Sequence, residues 1–469
     1  MFGHRFTILL NLFCLGAALP PVSNAHSLRL IETNLTIKQV DLSAAAYRDK
    51  QGYPKLDPAK LLTAPRQTVE RSHRAVILEN DYLKVVVLPE MGRVYSLYSK
   101  LTSHEELWVN PIAQPLTGQQ NDLGWWMVWG GIEYTLPRGE HGTTWALPWS
   151  FQIVENSSSR KAVRMTVLEP ATRLQEQLEL ALIPKRAACE TSIVITNTSA
   201  RAARFSHWMN AMCAPGGRGE VTPNTEIIVP CQAMIVADRP FNRWMLGDRI
   251  QEFERNPLRW VKHWRSPGDL LATNLTAGFY GAFSHDANEG LVRVFDPKIT
   301  PGMDIWTWGY PPAPPMQHEY SLLPNLGYVE LWGGTSEDFS DEARRVLPPH
   351  GSMAWHEWIY PFSGTKGLTF ANPEWAIAFT QDLETGDWHL GIFPTAGAEL
   401  DCVVSLKDRT ILKKKFDVRP GELLDVTDRL PAKQRSELLS LTLNAPAGLL
   451  KLTAKPINAP RWGSPYLSE

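Results

Sequence analysis

The run that decides the fold is Ala75-Val-Ile-Leu-Glu-Asn-Asp-Tyr-Leu-Lys-Val-Val-Val-Leu-Pro-Glu-Met-Gly-Arg-Val-Tyr-Ser-Leu-Tyr98. Three short runs of β-branched and aromatic residues are cut by Glu79-Asn80-Asp81 and by the Pro89 to Gly92 segment. That punctuation predicts antiparallel strands joined by tight turns. Downstream, Phe151 to Val154, Ala162 to Leu168, Leu174 to Ile183 and Thr191 to Thr196 alternate apolar with polar residues, as half-buried strands do. Only Ser340 to Val346 and Lys433 to Leu441 carry modest helical periodicity. The predicted class is therefore all-β, a sandwich or barrel.

The chain has 469 residues, more than one ordinary core needs. Residues 26–72 are polar, with Pro54, Pro58 and Pro65 spacing short segments, and read as an entry strand followed by an irregular wrap. The aromatic texture ends around Trp355-His-Glu-Trp-Ile-Tyr-Pro361, after which turn residues separate strand-like runs near Ala376, Trp388, Cys402 and Leu449. This divides the chain into a large β unit over 26–365 and a small β-sandwich over 366–469.

Residues 1–25 pair one arginine and a short apolar run with Ser23-Asn24-Ala25, the pattern of a cleaved secretory signal, which predicts a secreted or periplasmic protein. No later segment is apolar enough to span a membrane. Lys and Arg total 47 against 49 Asp and Glu, so no global field draws the chain to nucleic acid. Cys189, Cys213, Cys231 and Cys402 allow three pairings; Cys213 with Cys231 would close a loop, and buried free thiols are the alternative. Their spacing suits no zinc site, and no cofactor is expected, although scattered carboxylates and carbonyls are compatible with a structural calcium ion.

The chemistry concentrates between Asn121 and Trp145, where Trp125, Trp126, Trp129 and Trp145 surround Gly130-Gly131, Glu133, Glu140 and His141. Aromatic faces give a rigid apolar floor, glycines let backbone approach a ligand, and a carboxylate near an imidazole can move a proton. Carbohydrate is the ligand class this mixture suits best. The 18 tryptophans, clustered along the chain, strengthen that expectation.

The strand run above, followed by Gly130-Gly-Ile-Glu-Tyr, Trp306-Thr-Trp-Gly, Tyr328-Val-Glu-Leu-Trp-Gly-Gly and Trp355-His-Glu-Trp-Ile-Tyr-Pro, resembles an uncharacterised bacterial domain family with a galactose-mutarotase-like fold. The resemblance covers roughly residues 70–380. Members often carry tetratricopeptide repeats, and this sequence displays none; a single Gly92 stands where the family usually has two. The resemblance implies a β-supersandwich whose concave face binds carbohydrate. In sugar mutarotases of the same superfamily, a histidine in an Asn-His-Thr-Tyr-Phe-Asn block is the general acid and a glutamate in a late strand is the general base. Ser206-His207-Trp208-Met209-Asn210 is similar to that block with serine in place of its first asparagine, which makes His207 the candidate acid; Glu330 is the candidate base.

Further expected contacts are Glu133 as a third catalytic candidate, Trp125, Trp126, Trp129 and Trp308 as stacking surfaces, Arg93 to hold a hydroxyl or carboxylate, and His141 and His263 along the cleft. Glu357 reads as part of a stabilising network, Asp304 as a turn cap, and His318 as a weaker site candidate. Acid/base chemistry at an anomeric centre is the leading expectation. Glu133, Glu330 and Glu357 also supply carboxylates for glycoside hydrolysis, His141, His207 and Arg93 suit a polysaccharide lyase, and a purely carbohydrate-binding protein would need only the tryptophans.

Overall fold

The computed structural model describes residues 28–457 except 66, 119–120, 246 and 312–326. The signal-like segment 1–25 and His318 lie outside the described residues.

Two large sheets make up the first unit. In the fourteen-stranded sheet, the central order is Gly268–Leu275, Gly302–Thr307, Val329–Gly334, Trp208–Cys213, Ile132–Thr135, Arg93–Ser99, Leu83–Leu88 and Thr68–Glu79. The eight-stranded sheet runs from Ser150–Asn156 through Lys161–Leu168, Leu174–Leu182, Cys189–Asn197 and Ser352–Ser363 to Glu289–Val294, Phe279–Ser284 and Thr225–Ile228. The sequence alternation explains the layering: Val85, Val87 and Leu97 from the first sheet join Val163, Leu178 and Ile193 from the second in one buried cluster. This is the expected all-β supersandwich, with the Ala75–Tyr98 run supplying three adjacent strands that pair antiparallel.

After Ser363 the chain enters a second pair of sheets, one of five strands between Phe370 and Pro456 and one of four between Ala398 and Thr453. They enclose their own core around Phe379, Leu390, Leu400, Val404 and Leu441. A separate cluster, with Phe283, Val292 and Phe362 on one side and Leu368, Ala376 and Phe393 on the other, joins this sandwich to the eight-stranded sheet. Tyr360 Oη reinforces the junction by donating to the carbonyls of Asn372 and Trp375 at 2.7 and 2.8 Å.

Two helix expectations fail. Residues 340–343 form bends and turns leading into the Arg345–Leu347 strand, which pairs with Ala203–Phe205. Arg345 is tied to the carbonyls of Thr335 and Ile299 at 2.5 and 2.9 Å, and Pro348-Pro349 stops any helical continuation. Residues 433–436 are turns, and Leu439, Leu441 and Leu443 are buried at a period of two, so the Ser440–Ala445 strand takes the apolar residues. Conversely, the stretch read as an irregular wrap holds the short helix Pro58–Thr63. Asp57 caps it by accepting from the amides of Ala59 and Lys60 at 3.0 and 3.1 Å, with Pro58 where a helix needs no donor. All four described cysteines are buried free thiols, so Cys213 and Cys231 are not bridged.

Candidate active site

Directly paired residues of an antiparallel ladder put their side chains on one face. Asp269 pairs with Trp306, Trp306 with Glu330, Asp304 with Trp332, Trp332 with Asn210, and Asn210 with Glu133. These residues come from five adjacent strands and share one face of the fourteen-stranded sheet. The residues between them, Ile305, Val329, Leu331, Ala211 and Ile132, take the opposite face and enter the main core. A polar and aromatic face is thus written at every second residue of Asp304-Ile-Trp-Thr-Trp308 and Glu330-Leu-Trp332.

Gly130 and Gly131 bring the last wall into position. Both have positive φ, +88° and +77°, and a side chain on either would strike the backbone of Trp108 or Val94. Only glycine lets the chain swing here from Trp125–Gly130 into Ile132–Thr135. The swing places the Trp126 indole N–H 2.7 Å from Glu133 Oε2.

Above that face lies a cavity of about 340 Å³, bounded by Trp126, Trp306, Trp308, Trp332, Phe241 and Phe339 and carrying the polar groups Glu140, His141, Arg239, Asp269, Asp304 and Glu330. The His141 ring stacks on Trp126 with centroids 4.0 Å apart and meets Trp332 edge-on at 4.9 Å. Its Nδ1 lies 3.1 Å from Glu133 Oε1. Glu133 in turn binds the guanidinium of Arg93, which also donates to the Gly130 carbonyl at 2.7 Å. Burial pushes the Glu133 carboxyl up, but Arg93, His141 and Trp126 outweigh it and hold the group below its ordinary pKa. A fixed carboxylate therefore orients His141 from behind.

Glu330 has a different environment. Its Oε2 accepts from Trp332 Nε1 at 2.8 Å and Asn210 Nδ2 at 3.0 Å, both neutral donors. Burial raises its pKa to about 7 against the opposing pull of His141, Trp332 and Asn210. Asp304, 2% exposed, is pushed up well beyond the usual range by burial and by Asp269, Glu140 and Glu330. The arrangement joins an oriented imidazole and a carboxyl able to gain or lose a proton near neutrality, within one aromatic cavity.

Of the residues singled out from sequence, Glu330, His141, Trp126 and Trp308 line the cavity. Glu133 and Arg93 stand behind His141 as a buried pair. His207 is elsewhere: its ring lies between the two large sheets, with Nε2 2.9 Å from Glu176 Oε1 of the Leu174–Leu182 strand and its plane edge-on to Trp355. Trp125 donates to the Pro54 carbonyl and packs on Trp145, Trp129 packs on His73, and His263 sits on a short turn, Val261–His263; none of the three lines the cavity. Glu357 is in a buried network with Arg293 and Trp355. Asp304, read as a turn cap, is mid-strand and faces the cavity with Trp306, Trp332, Asp269 and Arg239, which sequence reasoning did not assign. The period-two spacing of Asp304, Trp306 and Trp308 was the available signal.

Among the described residues, no group of three or more His, Cys, Asp or Glu side chains is arranged to hold a metal ion. No described helix is long and apolar enough to cross a membrane.

Two face-packed sheets with an aromatic, acid-bearing cavity on one of them define a β-supersandwich protein. The chain belongs to the family described as domain of unknown function DUF5107, whose model matches residues 60–357. Among solved structures it is similar to a TPR-domain containing protein from Parabacteroides distasonis, with 20% identity and a TM-score of 0.58 over 71% of this chain and 55% of that one. The chain thus spans little more than half of that relative's length. It is also similar to a galactose mutarotase-like protein from Clostridium acetobutylicum, with 12% identity, a TM-score of 0.45, and coverage of 62% and 96%. A galactose mutarotase related enzyme from Lactobacillus acidophilus matches with 12% identity, a TM-score of 0.40, and coverage of 63% and 100%.

Proposed function

We propose that this protein is an exported carbohydrate-active enzyme that moves protons at the anomeric centre of a sugar, in the manner of an aldose 1-epimerase. The observation that carries this reading is the shared cavity of Glu330 and His141. Glu330 is held by the neutral donors Trp332 and Asn210 and has a pKa of about 7, whereas His141 is stacked on Trp126 and held by Glu133. In the proposed reaction the Glu330 carboxylate takes the proton of the anomeric hydroxyl as protonated His141 gives one to the ring oxygen. The bond from the anomeric carbon to the ring oxygen breaks and a carbonyl forms. Rotation of that carbonyl and return of both protons close the ring on the other face. The aromatic walls exclude water and offer stacking surfaces for the sugar ring. His141 takes the acid role first expected of His207 because His141 borders the cavity and His207 is bonded to Glu176.

The test is proton NMR of anomeric signals for a panel of monosaccharides and glycans mixed with the purified protein. Accelerated exchange between anomers, lost in both Glu330→Gln and His141→Asn, is the expected result. New reducing ends or unsaturated products would replace epimerisation by hydrolysis or elimination, and line broadening without chemical change would leave a binding protein.

A further inference from the structure

One end of the cavity is unlike the rest. Phe241, Trp306 and Trp308 stand as perpendicular walls, with the first pair of rings 4.9 Å apart at 90° and the second 5.5 Å apart at 89°. Beside them Asp269 and Asp304 share the face of the sheet, and Asp269 adds to the burial that opposes ionisation of Asp304. Asp269 is fixed by Asn242, which donates to its carboxylate and accepts from its amide N–H at 2.9 Å. Asp304 Oδ1 and Trp308 Nε1 are buried with no hydrogen-bond partner among the described residues, and both residues border the cavity. The nearby cation Arg239 lies 3.7 Å from Glu140 and also attracts Asp269 and Asp304, without cancelling the effect of their burial. Including Glu330, the cavity lining carries four carboxyl groups against Arg239 and His141.

Aromatic walls attract cations over their exposed π faces. Burial of the two carboxyls outweighs the pull of Arg239 on both, so a further positive charge is favoured there, and a buried indole N–H calls for an acceptor. We propose that this end of the cavity binds an ammonium group, and that the ligand is a sugar with a free amine next to a hydroxyl, either a free amino sugar or a terminal residue of a deacetylated glycan. The ammonium meets Asp304 and Asp269 between the aromatic walls, and the neighbouring hydroxyl oxygen accepts from Trp308 Nε1. Acetylation removes the charge and enlarges the group, and sugars with carboxylate or phosphate groups meet repulsion. The inference rests on the carbohydrate reading above and narrows it to a substrate class.

The experiment is a tryptophan-fluorescence titration of the full chain at pH 7 with glucosamine, galactosamine, their N-acetyl forms, the parent hexoses, and methylammonium chloride against a potassium chloride control. The expected result is at least about ten-fold tighter binding of an amino sugar than of its acetylated and neutral counterparts. That preference should collapse in Asp304→Asn and in Asp269→Asn, each confirmed as folded by circular dichroism. Equal binding of the three forms, persistence of the preference in both variants, or no binding of either amino sugars or methylammonium would overturn the proposal. Asp304-dependent amine binding without accelerated anomer exchange would instead remove the epimerase reading and retain the ammonium site. Accelerated exchange of neutral sugars without amine preference would do the reverse.

Discussion

Trp332 donates its indole N–H to Glu330, two residues back on the same strand, at 2.8 Å. Trp355 does the same for Glu357, two residues ahead, also at 2.8 Å. The two pairs differ in what else reaches the carboxylate. Arg293 grips Glu357 with two nitrogens, while Glu330 receives the neutral amide of Asn210. The arginine fork fixes Glu357 as a structural anchor, whereas burial raises Glu330, held by neutral donors, to about 7.

Replacing Glu330 with glutamine removes that proton exchange and keeps the shape. Turnover should fall by about 10²–10⁴-fold with ligand affinity retained. The check is anomer-exchange NMR alongside a binding titration; undiminished exchange would sink the assignment.

The raised pKa of Glu330 has consequences of opposite sign for rate and stability. Its basic form appears as pH rises through about 7, so the rate should climb across that value. Because the ordinary value is 4.5, the folded state holds an extra proton between 4.5 and about 7. The stability from this group is full below 4.5, shrinks as pH rises, and is gone above about 7, a difference of roughly 3 kcal/mol. Urea midpoints measured from pH 4 to 8 should show that decline in the native protein relative to Glu330→Gln; parallel curves would contradict it.

Glu133→Gln should act on both fold and chemistry. It leaves Arg93 buried without its carboxylate, a change that costs about 3–5 kcal/mol, and frees the ring of His141 to reorient. Equilibrium unfolding and turnover per folded molecule should both decline. Native-like values for the two would show that the Arg93, Glu133 and His141 chain has no such role.

His207→Asn separates two roles for histidine. The ring bonds Glu176 between the sheets, so the substitution should cost about 1–3 kcal/mol of stability and leave turnover of the folded protein within two-fold of native. A loss of turnover like that of His141→Asn, at unchanged stability, would return the acid role to His207.

The fold was legible because strands announce themselves locally: Lys84-Val-Val-Val-Leu88 is a β-branched run between turn signals, and Val163-Arg-Met-Thr-Val167 alternates apolar with polar residues. Glu330 was legible for a related reason, since a carboxyl amid Val329, Leu331 and Trp332 demands an explanation. The choice between His141 and His207 was not. Both lie in aromatic surroundings, and what separates them is which face of the sheet or which side of a loop each occupies, fixed by pairings with distant strands. Asp304 was missed because a mid-strand aspartate before tryptophan reads the same as a turn cap until the neighbouring Val329–Gly334 strand is in place. The Ser340 to Val346 helix failed because Arg345 finds carbonyl partners ten and forty-six residues away, which no local period registers.

The Val329–Gly334 strand, late in the chain, fills the slot between Trp208–Cys213 and Gly302–Thr307. A polypeptide that ends at Thr307 therefore has an open seam where Glu330 and Trp332 would sit. Its two borders stay unpaired until the Val329–Gly334 strand is added between them. The cavity is therefore a keystone assembly: its floor is closed by one of the last pairings of the large unit, and an N-terminal fragment that stops short of Val329 lacks the piece that locks both borders together.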